Sequence, residues 1–249
     1  MIKLFSLLIP VVLIVVFSIV SELIVKSFGK TWPTYALLPT LGLLFSFITY
    51  LGFKKLSILQ TIRPMKIGTP RGLASGVALG VIVSCLSAYL FYLTKSPSVD
   101  LSLVWKDLHL RLIGNIFPAS VEEVTFRGGL VHYLFSYWGK NIGLLGGSLP
   151  FGIIHLVGTF FGNPVDLAHV IGVSVAGFSL SLLYLEYGLL PAIGFHLVWN
   201  SLCSQWVSVF SIPRKGGVQM IEGHWTTSLV LILLIVLILS LKQFFVKNR

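Results

Sequence analysis

Charge is what this sequence has least of. Only 10% of its 249 residues are Asp, Glu, Lys or Arg, and just 8 of them are acids. A soluble domain carries about 25% charged residues, so this chain lacks the polar side chains to cover a globule of its size. Its mean hydropathy of +0.93 leaves a membrane protein as the class that fits. Disorder, a fibrous repeat and a secreted disulfide scaffold are excluded by the same arithmetic. Cysteine is scarce too. Cys85 and Cys203 both stand in apolar runs, which implies neither a disulfide framework nor a metal cluster. With 18 bases to 8 acids the formal charge is +10. In a soluble protein that excess points to nucleic acid. In a polytopic membrane protein it marks loops that hold orientation and touch anionic headgroups, and no nucleic-acid partner is expected.

What the chain has instead is long apolar runs. A membrane-spanning helix needs roughly 20 predominantly apolar residues, and eight candidate runs fall at 4–25, 34–53, 72–93, 110–137, 142–161, 167–187, 189–210 and 226–245. The first is too long for a signal-peptide core and no small-x-small site follows it, so a retained span is expected. Between the second and third lies the most basic segment, with Lys54, Lys55, Arg63, Lys66 and Arg71 and no acid among them. The excess of bases places that segment in the cytoplasm, with both ends of the chain on the same side. Gly72, Gly76 and Gly80 recur every four residues and give the third run a smooth face suited to close packing in lipid. The expected fold is all-α: one domain over 1–249, about eight transmembrane helices in one bundle, enclosing an intramembrane polar cavity.

The few ionisable residues inside the runs are therefore informative. The fourth run holds Glu122, Glu123 and Arg127. Unpaired at mid-membrane, three such charges cost roughly 8–10 kcal/mol on insertion scales. Glu123 and Arg127 are four apart, share a helix face and can pair. Glu122 points about 100° away and needs a partner from another helix. The fifth run offers Phe151 and His155, and the seventh His196 and Asn200, again four apart. Any one of these histidines is more often a satisfied core residue than a catalyst. Three polar clusters on three helices of one bundle are what a hydrolytic site requires. A carboxylate beside an imidazole can deprotonate a water, and imidazole and amide N–H groups can donate to the developing oxyanion.

Glu-Glu-x-x-x-Arg, Phe-x-x-x-His and His-x-x-x-Asn, each in its own hydrophobic helix, resemble the CPBP family, the CAAX-protease and bacteriocin-processing (Abi) intramembrane endopeptidases. The flanking Phe126-Arg127-Gly128 and Leu190-Pro191-Ala192-Ile193 are similar to that family as well. The likeness covers about 108–208, the expected catalytic core. It implies an endopeptidase acting on a membrane-anchored protein or peptide. Glu122 and His155 would activate water, His196 and Asn200 would stabilise the oxyanion, and Glu123 and Arg127 would support the site. If a metal such as zinc takes part, Glu122, His155 and His196 are the residues to hold it. A metal-free mechanism fits equally well and is preferred, because Asn200 is a poor zinc ligand and a good oxyanion donor.

Other polar residues are read as structural. His132 falls on a different face. Asp166 and His169 flank a loop or helix start where Asp is an ordinary cap. Glu186 is expected to reach headgroups or water, and Trp32, Trp105, Trp138 and Trp225 to anchor at the interface. The alternatives are a non-catalytic scaffold or regulator, which predicts an eroded motif where none is found, and a transporter, which predicts paired halves that are not seen. Prenylated proteins, bacteriocin or pheromone leaders and C-terminal sorting tails all suit the chemistry as substrates. The shortness of the chain leads to the expectation of a bacterial inner (cytoplasmic) membrane protein.

Overall fold

The computed structural model describes residues 32–59, 64–156, 165–212 and 221–247, with scattered positions between 9 and 27. Among these residues there is no strand. The helices are α1 (Trp32–Leu59), α2 (Pro70–Lys95), α3 (Leu108–Glu122), α4 (His132–Trp138), α5 (Lys140–Ile154), α6 (Leu167–Tyr187), α7 (Leu189–Val209) and α8 (Trp225–Lys247). Between α3 and α4 a π-helical stretch, Glu123–Val131, continues the same rod. A short 3₁₀ turn, Leu101–Leu103, lies in the connection before α3.

Each helix matches one of the runs expected from 34 onward. Three are long and apolar enough to cross a membrane: Leu37–Lys55 within α1, Pro70–Lys95 and Leu167–Tyr187, with a shorter apolar stretch at Trp225–Ser240. The count of eight is therefore not carried by hydropathy alone. The reasons are length and polarity: α3 and α5 have 15 residues each, and α7 holds His196, Asn200 and Gln205. Buried polar groups lower a helix's mean hydropathy without exposing anything to lipid. The expected first span at 4–25 and the end of the run at 142–161 fall largely outside the described residues.

The glycine face of α2 sets the closest helix contact. A Cβ on Gly76 would run into the carbonyl oxygen of Pro191, and one on Gly80 would sit 2.8 Å from the carbonyl oxygen of Phe195. Only hydrogen allows the two backbones so close, the usual role of small residues where lipid supplies no hydrophobic drive. The contact fixes α7 at Phe195, one residue before His196. At the foot of α7, Leu189 N–H and Leu190 N–H donate to the carbonyls of Lys66 (3.0 Å) and Ile67 (2.8 Å). Gly68 at φ 89° and Gly188 at φ 104° make this approach in the left-handed region that favours glycine.

These contacts define two ends of the bundle. One gathers the 64–69 segment, Lys140 and the α6–α7 turn, where Lys140 Nζ pairs with Glu186 Oε1 at 2.7 Å. Glu186, half-buried at this end, is paired with that lysine. The other end gathers the 96–107 segment, the end of α5, the start of α6 and the connection into α8. There Asp100 N–H donates to Val209 O at 2.8 Å, and Asp166 caps α6 by accepting from His169 N–H at 2.8 Å, as expected. Trp105, Trp138 and Trp225 are all exposed near helix ends, as interface anchors should be. Trp32 lies outside the residues whose side chains are described.

Candidate active site

Glu123 stands at the centre of the polar cluster. Its side chain and that of Arg127 are fully buried, and Arg127 Nη1 donates to Glu123 Oε1 at 2.8 Å. Arg127 Nη2 reaches the Gly177 carbonyl at 3.2 Å, and its guanidinium lies 4.2 Å from the centroid of the Phe151 ring. The same Glu123 oxygen lies 2.8 Å from Nδ1 of His196. A carboxylate only accepts, so Nδ1 of His196 carries a proton. The expected Glu123–Arg127 pair is present, and it is Glu123 that ties α7 to the π stretch.

Glu122 departs from this buried frame. Its side chain is 21% exposed and its Oε2 lies 3.8 Å from Nε2 of His196. That oxygen has no hydrogen-bond partner among the described residues. Successive carboxyl groups thus differ in surroundings: Glu123 is tied to Arg127 and His196, and Glu122 lies beside Nε2 of His196 with Oε2 buried and unpartnered. The partner that Glu122 needed from another helix is His196.

His155 follows the last residue of α5, where its Nδ1 lies 2.7 Å from the Phe151 carbonyl. A carbonyl only accepts, so Nδ1 is protonated and Nε2 of the neutral ring keeps its lone pair. Phe151 separates the polar groups: its ring packs edge-on against Phe126 at 5.1 Å, His155 at 5.0 Å and His196 at 5.9 Å. Close approach on the far side depends on Gly177, where a Cβ would sit 3.0 Å from Phe151.

His155, His196 and Asn200 line one cavity with Phe151, Trp199 and Glu222. The space open to the centre of a water is about 20 Å³, and a single water needs at least roughly 10–15 Å³. The cavity thus has room for one water between two imidazoles and an amide. Glu122 reaches it through His196.

One residue escapes the sequence reading, Glu222, and its neighbour His169 is read there only as part of a helix start. His169 is buried beside His155, ring centroids 5.9 Å apart, and its Nδ1 lies 3.7 Å from Oε2 of Glu222. Burial, opposed mainly by the charge of His196, pushes the Glu222 carboxyl up to about 7. The scarcity of acids was the available signal, for Glu222 is one of only 8. It lies just outside a run and belongs to no spaced motif. His132 is buried, with Nδ1 3.0 Å from the hydroxyl of Tyr184.

A metal was tested against this geometry. No group of three or more His, Cys, Asp and Glu is gathered to hold one among the described residues. Nδ1 of each motif histidine is engaged, one by a carbonyl and one by Glu123, which leaves Nε2 of each for any further partner. Glu122, His155 and His196 do not form such a group among the described residues.

Residues 104–202 match the family model described as type II CAAX prenyl endopeptidase, Rce1-like. The matched segment contains all three motifs and agrees with the resemblance to the CPBP family. No curated protein and no solved structure matches the chain.

Proposed function

We propose that the protein is an intramembrane endopeptidase that hydrolyses a peptide bond of a membrane-anchored protein or peptide. The observation that carries this reading is the water-sized cavity lined by His155, His196 and Asn200, with Glu122 3.8 Å from Nε2 of His196. His155 Nε2 accepts a hydrogen bond from the attacking water, and Glu122 takes the one proton released as the water oxygen attacks the carbonyl carbon. Asn200 donates from its side-chain amide to the oxygen that becomes negative. His196 donates from Nε2 when its ring is doubly protonated, and two carboxylates flank it to balance that charge. Glu123 and Arg127 hold the imidazole in place and do not touch the reacting atoms. The bundle is completed as eight spans, the polar helices being covered by the apolar ones.

The same geometry supports an orientation. The cavity lies toward the end that gathers the 96–107 segment and the connection into α8. Lys54, Lys55, Lys66, Arg71 and Lys140 belong to the opposite end. The excess of bases there favours the cytoplasm, so the cavity opens to the non-cytoplasmic side, as suits a leader peptide or sorting tail. Comparing membrane peptidomes of cells carrying the wild-type protein and Glu122→Gln tests the reading. A tail that accumulates uncleaved only in the variant is expected, and identical peptidomes would overturn it.

A further inference from the structure

We infer that Glu222 is the general acid of this site, the group that hands a proton to the amine leaving the cleaved bond. The inference rests on the hydrolytic reading above and adds to it a residue outside all three motifs.

Three observations on geometry carry it. Glu222 lines the same cavity as His155, His196 and Asn200. Its side chain is 13% exposed, so it is held in place rather than free in water. Its backbone is pressed onto α6 at Gly172, where a Cβ would run into the Glu222 carbonyl oxygen. Glu222 and Gly223 are thereby held against the start of α6, with Glu222 on the cavity. His169 Nδ1, 3.7 Å from Oε2, marks one flank of the carboxyl. The groups around it are His169 on α6, His155 after α5, His196 on α7 and Glu122 on α3. The site therefore offers two carboxyl groups in different surroundings, one beside His196 and one on the short helical stretch ahead of α8. Pairs set apart in this way divide into base and acid. A carboxyl that titrates near 7 is protonated in a useful fraction at neutral pH.

The step balances. The water oxygen bonds to the carbonyl carbon and its proton passes to Glu122. The carbon–nitrogen bond breaks, and the nitrogen's electron pair takes the proton of Glu222. The products are a carboxylic acid and an amine. The proton on Glu122 then returns to Glu222 through the next cavity water, which restores both groups.

An amide needs this proton and a p-nitrophenyl ester does not, because p-nitrophenolate leaves unaided near neutral pH. The experiment uses the full chain in lipid vesicles. One probe is an internally quenched peptide with a farnesylated cysteine in a CAAX-type C terminus, and the other is the p-nitrophenyl ester of its acyl half. Glu222→Gln should lose at least about 100-fold in kcat on the amide and less than about threefold on the ester. Glu222→Asp should recover part of the amide rate. In the wild-type protein, amide turnover should fall above about pH 7, while ester turnover should not. Equal losses on both probes, or an unchanged amide rate in Glu222→Gln, would overturn the assignment. Should Glu222→Gln fail to fold, wild-type profiles that fall together on amide and ester overturn it as well. Failure of the hydrolytic reading is distinct: neither probe is then turned over faster by wild type than by Glu122→Gln.

Discussion

Nδ1 of His196 and Oε1 of Glu123 lie 2.8 Å apart, and that one oxygen also receives Arg127 Nη1 at 2.8 Å. A buried carboxylate shared by an imidazole and a guanidinium joins α7 to the π stretch and fixes which nitrogen of His196 faces the cavity. On the function proposed above, stability and catalysis divide between adjacent residues, Glu123 for the first and Glu122 for the second.

Removing the cation of this group should unfold the protein before it slows it. Arg127→Met leaves Glu123 buried with one partner fewer, a change that costs about 3–5 kcal/mol. Glu122→Gln, at a side chain 21% exposed with one oxygen unpartnered, should stay within about 1 kcal/mol of wild type. Thermal unfolding in detergent checks both. Comparable losses in the two variants would contradict the division.

Within the cavity, the expected order is set by chemistry. Glu122→Gln and His155→Ala should each reduce hydrolysis by about 10²–10⁴, as loss of a general base does. Asn200→Ala should cost about 10²–10³, as loss of one oxyanion donor does. All three proteins should remain folded. Rates on the quenched peptide, with unfolding temperatures measured alongside, decide it.

Helix contact predicts a contrast between two glycines. Gly76→Val forces a side chain against the Pro191 carbonyl and should destabilise by about 1–3 kcal/mol through overpacking. Activity should fall with it, since the same contact seats His196. Gly52, where a Cβ would meet nothing within 4 Å, should accept Ala with a gain of about 0.5–1 kcal/mol. An inert Gly76→Val would mean that α2 and α7 are farther apart.

Glu222 gives a pH dependence with a definite sign. Its carboxyl titrates at about 7 in the folded chain against an ordinary value of 4.5. Between those limits the folded state binds more protons than the unfolded one, so this group's contribution to stability falls as pH rises. Glu222→Gln imitates the protonated form and removes the loss. The variant should therefore gain on wild type from pH 5 to pH 8 in unfolding temperature. A difference that shrinks over that range would refute the assignment of the raised carboxyl.

Orientation is open to labelling. In a Cys85→Ala background, Lys106→Cys should react with a membrane-impermeant maleimide on intact cells, and Lys55→Cys only after permeabilisation. The opposite pattern would place the cavity on the cytoplasmic side.

How much of this could be read from the sequence varies from residue to residue. The helices from 34 onward were legible because apolar runs report directly on what lipid tolerates. Glu123 and Arg127 were legible as a pair because four residues on one helix is a local distance. That Glu123 rather than Glu122 would take His196 Nδ1 was not, since the choice depends on how α7 is rotated against the π stretch. The burial of Glu186 beside Lys140 also went unread, for the two are 46 residues apart and meet only when α6 returns to the start of α5. Glu222 shows the limit most clearly. Helical spacing speaks for residues that share a run, and it is silent on a carboxyl that stands alone between two runs.

By itself, then, the sequence determined the membrane class, the helical content and the three polar motifs. All three follow from short-range rules: the cost of a charge in lipid, the length of a span and the period of a helix. Only the tertiary structure decided which carboxyl group takes Arg127 and which stands beside Nε2 of His196, that the cavity has room for one water, and that Glu222 lines it. Those outcomes depend on distances between helices far apart along the chain, which the Gly76 and Gly80 contacts with α7 set and no local pattern encodes.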